Sequence, residues 1–99
     1  MGVWGGNSGT LNIDKFDNSG TITASNDQGV FFEGKNTNIQ SFANSGLISG
    51  GGNGVTTAGT IKNFTNSGTI LGNSGNGISI NSTIETFTNT GTIKAMEHQ

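Results

Sequence analysis

Ile61-Lys62-Asn63-Phe64-Thr65-Asn66-Ser67-Gly68-Thr69-Ile70 is one of four copies of a single ten-residue phrase. The other copies are Ile13-Asp14-Lys15-Phe16-Asp17-Asn18-Ser19-Gly20-Thr21-Ile22, Ile39-Gln40-Ser41-Phe42-Ala43-Asn44-Ser45-Gly46-Leu47-Ile48 and Ile84-Glu85-Thr86-Phe87-Thr88-Asn89-Thr90-Gly91-Thr92-Ile93. They share the template I-x-x-F-x-N-[ST]-G-x-I. From Ile13 to Ile39, Ile61 and Ile84 the steps are 26, 22 and 23 residues. A fixed period of this size marks stacked units, each too small to bury its own apolar face. Within the phrase, Phe, Asn, Gly and Ile fall on alternate positions, which is the period of a strand. Glycine and β-branched residues also weigh against a helix. The step from Ile to Phe is odd, so a bend or bulge is expected there if both side chains point inward. Asn-Ser-Gly reads as a corner, with Asn and Gly expected to supply left-handed backbone angles.

A second element sits in each interval: Gly29-Val30-Phe31-Phe32, Gly54-Val55-Thr56-Thr57 and Gly77-Ile78-Ser79-Ile80. Its alternation reads as a strand with one face inward. Gly2-Val3-Trp4 fills the same slot before the first copy. The expected fold is all-β, a parallel β-solenoid of roughly three to four rungs with about 23 residues per rung. Each rung would hold two or three short strands, and equivalent residues would stack at about 4.8 Å. Phe16, Phe42, Phe64 and Phe87 then form an aromatic ladder. Asn18, Asn44, Asn66 and Asn89 form an amide ladder whose members satisfy one another, which buried amides require. The repeat covers residues 1–95, and 96–99 read as a disordered or cloning-derived tail. The chain starts and stops mid-repeat, as a fragment of a longer protein would. Extra length around Glu33 to Thr37, and one residue fewer between Ile48 and Val55, read as loop variation.

Composition fits this picture. Of 99 residues, 29% are hydrophobic, 10% are charged and 18 are glycine, so a conventional core would be thin. A net charge of −2 with four cations excludes a nucleic-acid partner. No apolar run is long enough to cross a membrane, so no insertion by this segment is expected. With no cysteine there is no disulfide framework and no thiolate chemistry.

No catalytic residue, cofactor or metal site is assigned, and the chain is not expected to be an enzyme. The carboxylates are Asp14, Asp17, Asp27, Glu33, Glu85 and Glu97, and the one histidine is His98. Asp14 and Glu85 share a column but stand three rungs apart, roughly 14 Å, too far for a hydrolytic pair. Gly51-Gly52-Asn53-Gly54 faintly matches a calcium-binding repeat, lacks its Asp, and reads as a flexible corner. Asn63-Phe64-Thr65 and Asn81-Ser82-Thr83 fit the glycosylation pattern, as chance would produce in so Asn- and Thr-rich a chain. An ice-binding double row of threonines is broken by Leu47 and Leu71. The inserted segment, with Phe31, Glu33, Lys35 and Asn36, is the best candidate for contact with a partner.

The phrase I-x-x-F-x-N-S-G-x-I followed by a Gly-hydrophobic strand resembles the passenger repeats of bacterial autotransporters, the type V secreted surface proteins. It is also similar to filamentous haemagglutinin-like adhesin repeats. The resemblance runs from Gly2 to Ala95. It implies a right-handed parallel β-helix at the outer-membrane surface of a Gram-negative bacterium or outside the cell. It further implies a structural or adhesive role linked to virulence, with a host surface protein or glycan as partner. Two alternatives stay open: a module that self-associates end to end through open rung edges, and the scaffold of a polysaccharide-acting enzyme whose catalytic residues lie outside this chain.

Overall fold

The computed structural model describes residues 3–5, 9–80 and 83–95. The tail 96–99, with Glu97 and His98, and the Asn81-Ser82 pair lie outside the described residues. The chain climbs four turns of three strands each. The first turn is β1 (Val3–Gly5), β2 (Leu11–Asn18) and β3 (Thr21–Ala24). The second is β4 (Val30–Phe32), β5 (Thr37–Asn44) and β6 (Leu47–Gly50). The third is β7 (Val55–Thr57), β8 (Thr60–Asn66) and β9 (Thr69–Gly72), and the fourth is β10 (Ile78–Ile80), β11 (Ile84–Asn89) and β12 (Thr92–Ala95).

Corresponding strands pair across turns into three parallel four-stranded sheets, β1-β4-β7-β10, β2-β5-β8-β11 and β3-β6-β9-β12. The fold is therefore a three-sided β-solenoid. The registers place template on template. Ile13, Ile39, Ile61 and Ile84 align, as do the four phenylalanines, the four asparagines and Ile22, Ile48, Ile70 and Ile93. Val3 pairs with Val30 and Trp4 with Phe31, the slot that Gly2-Val3-Trp4 predicts.

The expected bend between Ile and Phe is present in every turn. Lys62 and Asn63 are both exposed between buried Ile61 and Phe64, and Asp14 and Lys15 are both exposed between half-buried Ile13 and Phe16. Pairing skips the second template position in each strand pair and resumes in register. It is thus a kink common to all turns, with no extra residue in any one strand.

The core is a set of columns. Val30, Phe32, Ile39, Phe42, Ile48, Val55, Ile61, Phe64 and Ile70 are all buried. The phenylalanine rings stack nearly parallel, with centroids 4.7, 4.6 and 5.0 Å apart along the ladder. Phe32 meets Phe16 edge-on at 5.8 Å. Its column reads Gly5, Phe32, Thr57, Ile80. A Cβ on Gly5 would lie 2.7 Å from the Phe32 ring, so the glycine makes room for it.

The amide ladder is continuous and polar in one sense. Asn18 Nδ2 donates to Asn44 Oδ1 at 2.8 Å, Asn44 Nδ2 to Asn66 Oδ1 at 2.9 Å, and Asn66 Nδ2 to Asn89 Oδ1 at 2.9 Å. Each of these NH2 groups also donates to two main-chain carbonyls: Asn44 reaches Gly46 O and Thr69 O, both at 3.2 Å. Among the described residues no buried side-chain polar atom is without a partner.

The corners correct one expectation. The only described residue with a positive φ is Gly9, so neither Asn nor Gly of the template adopts a left-handed angle. Close approach is what requires glycine there. A Cβ on Gly46, Gly68 or Gly91 would fall against the carbonyl oxygen of Gly20, Gly46 or Gly68 respectively, one turn back. Gly20, on the first turn, has nothing within 4 Å of that position. Gly46→Ala is therefore expected to cost about 1–3 kcal/mol by forcing two backbones apart. Gly20→Ala, at the same template position, should leave stability unchanged. Urea unfolding of the two variants checks the contrast.

Four turns at about 4.8 Å span only about 14 Å from first to last level, whereas the longest dimension of the molecule is 37 Å. The unit is wider across its turns than along its axis.

Candidate functional site

No pocket opens among the described residues, and no three His, Cys, Asp or Glu side chains gather as a metal site would require. Asp14 and Glu85 lie on the first and fourth turns, and Asp14 and Asp17 are exposed on the same strand. What the fold does build is an outer face on the sheet β1-β4-β7-β10. Alternation turns Val3 and Gly5 inward and Trp4 outward, so the outward column runs Trp4, Phe31, Thr56, Ser79. Trp4 is 55% exposed. Phe31 beside it is half-buried rather than exposed as a loop-tip aromatic would be, because it lies in β4 between Trp4 and Thr56.

Trp4 is held in place. Its Nε1 donates to Glu33 Oε1 at 2.9 Å. The Glu33 main-chain N–H donates to Gly5 O at 3.3 Å, which ties the start of the inserted loop to β1. The loop's far end is tied as well: Leu11 N donates to Asn36 O at 3.2 Å and Thr37 N to Gly34 O at 3.2 Å. The insertion is thus Glu33 to Asn36. Thr37, expected at its end, is the buried first residue of β5 and pairs with Leu11. Lys35 and Asn36 are exposed and Glu33 is half-buried.

Of the residues expected to make contacts, the fold brings Phe31 and Glu33 together with Trp4, while Lys35 and Asn36 extend the patch at the loop tip. Trp4 is the member that sequence reasoning passed over. Its signal was its alignment with Phe31, which places two aromatics on one outward column.

The neighbouring corner is fixed too, contrary to the flexible corner expected from Gly51-Gly52-Asn53-Gly54. Asn53 Nδ2 donates to Thr56 Oγ1 at 2.9 Å, and Asn53 Oδ1 accepts from Asn76 N at 2.7 Å. On the sheet β3-β6-β9-β12, Leu47 interrupts the column of Thr21, Thr69 and Thr92, as the sequence indicates. Comparison with known protein families, with curated proteins and with solved structures gave no match for this chain.

Proposed function

We propose that this chain is a structural and adhesive segment of a bacterial surface or secreted β-helix of the autotransporter-passenger kind, and that it presents an aromatic contact patch on a rigid frame. The supporting observation is the Trp4 side chain, exposed yet pinned by Glu33, next to Phe31 on the outer face of the sheet β1-β4-β7-β10. A large exposed aromatic held in one orientation loses little conformational freedom on binding, the property that makes Trp a frequent anchor at interfaces and sugar-binding platforms. The sequence resemblance supports the surface location, with a host glycan or surface protein as the partner. The ladders serve this role mechanically. With its interior groups spent on self-stacking, the frame holds the patch without needing a separate core.

Trp4→Ala is the direct test. Adhesion to host cells or a glycan array is expected to fall about tenfold or more, as loss of a binding anchor does. The melting temperature should change little, since Trp4 is 55% exposed and lies outside the buried core cluster. Undiminished adhesion by the variant would remove the patch from the contact surface. Release of reducing ends from a polysaccharide by the wild-type chain would favour the enzymatic alternative.

A further inference from the structure

We propose that Asn53-Gly54 is a latent deamidation site that folding keeps closed, so that it reacts only when the third turn opens. In an unconstrained chain, a glycine after asparagine has no Cβ to keep its nitrogen away from the asparagine side chain. The Gly54 nitrogen then bonds to Asn53 Cγ as the Cγ–Nδ2 bond breaks. The Gly54 amide proton leaves with the NH2 group as ammonia. The product is a cyclic succinimide, which takes up one water at either carbonyl. One opening gives aspartate. The other gives isoaspartate, whose main chain runs through the side chain and is one methylene longer.

The fold both imposes this pair and blocks its reaction. A Cβ on Gly54 would lie 2.5 Å from Gly77 O and 2.7 Å from Ile70 Cγ2, so packing demands glycine there. The Asn53 carboxamide is held at both ends: Nδ2 donates to Thr56 Oγ1 at 2.9 Å, and Oδ1 accepts from Asn76 N at 2.7 Å. Its Cγ is therefore not free to turn toward Gly54. The nucleophile is held as well. Gly54 is buried, and its N–H donates to Asn76 O at 3.0 Å. The Asn53 carbonyl accepts from Gly29 N at 3.1 Å, which fixes the peptide from the other side. Attack needs the reacting atoms about 3–3.5 Å apart and aligned, so these bonds must break together. They reach into the turns on both sides, and β7, which follows at once, is paired with β4 and β10. Opening of the third turn is the event that releases them all.

Either product leaves a lasting mark. Isoaspartate lengthens the main chain just before Val55, which displaces the start of β7 from Val30 and Ile78 beside it. Aspartate keeps the main chain but sets a charged oxygen where Nδ2 donates to Thr56. The modification thus records that the turn has opened, and refolding does not erase it.

The test incubates the full chain at mildly alkaline pH, folded and in unfolding urea, and follows deamidation by peptide mapping with mass spectrometry. Mapping by site keeps Asn53 apart from the second such pair, Asn76-Gly77. Folded Asn53 is expected to react at least about a hundredfold more slowly than in urea, as for a segment whose opening costs a fraction of the total stability. Thr56→Val removes the acceptor of Nδ2 and should speed the folded-state reaction about two- to tenfold. Thr56→Ser keeps the hydroxyl and should stay near the wild-type rate. In unfolding urea all three chains should react alike. Equal rates for wild-type Asn53 with and without urea would overturn the proposal. A Thr56→Val rate no faster than that of Thr56→Ser, or rates that differ in urea, would overturn the part assigned to the Asn53–Thr56 bond.

Discussion

Phe64→Ala is expected to destabilise the chain by about 3–5 kcal/mol, the usual range for deleting a buried phenylalanine. Against a total stability of about 5–15 kcal/mol for a domain, that is enough to leave much of the variant unfolded at moderate temperature. Two losses combine. The ring is fully buried between Phe42 at 4.6 Å and Phe87 at 5.0 Å, so its removal breaks the stack in two places. The void also opens onto Ile61 and Ile70 of the same turn, whose strands are fixed by pairing above and below and cannot collapse inward. Phe87→Ala removes the same side chain from the last turn, where it is half exposed and has one stacking neighbour. Its cost should be about 1 kcal/mol. Urea unfolding of both variants measures the gradient, and equal costs would show that the ladder is not what stabilises the turns.

Asn44→Asp is the second large effect, expected at about 3–5 kcal/mol near neutral pH, the cost of an uncompensated buried charge. The Asn44 NH2 group faces three oxygens, those of Asn66 Oδ1, Gly46 and Thr69. A carboxylate there would keep the Asn18 Nδ2 donor on one oxygen but set the other, negatively charged and buried, against three acceptors. Burial and those oxygens hold the folded-state pKa of the new carboxyl above the unfolded value of about 3.9. The native state then binds more protons than the unfolded state, so stability falls as pH rises through this window. The variant should regain much of its stability below about pH 4, where a protonated carboxyl can donate to Asn66. Asn44→Ala leaves the same oxygens unpaired without a charge, and should cost about 1–3 kcal/mol independently of pH. Thermal melts of the two variants between pH 3 and 7 separate charge from lost hydrogen bonds.

The ladders were legible because a template repeated four times states which residues stack on which. The phenylalanine stack, the amide chain and the kink after Ile13 each follow from spacing alone. Three things were not legible. The reason for glycine at the corner lies in a carbonyl one turn away, and residues 22 to 26 apart in sequence reveal nothing about how closely two backbones pass. A left-handed angle was the local explanation, and the contact is not local. The Trp4–Glu33 bond is of the same kind. It joins residues 29 apart through side chains whose rotamers no periodicity specifies. Off-template packing also escaped the reading. Phe32 fits only because Gly5 lies beneath it, which is a relation between one turn and its neighbour and appears in no single repeat.

The interchangeability of the template positions constrains how such a chain can change length. Phe42 and Phe64 each stack between two phenylalanines, so excising everything between one template copy and the next would bring like residues together again across the seam. Losing one residue inside a strand instead turns every following side chain in that strand to the wrong face. The tolerated unit of insertion or loss is therefore a whole turn. The off-template residues Gly5, Phe32 and Thr57 act as markers that distinguish one turn from the next. They hold the chain to a single alignment where the ladders alone would accept a slip of a full turn.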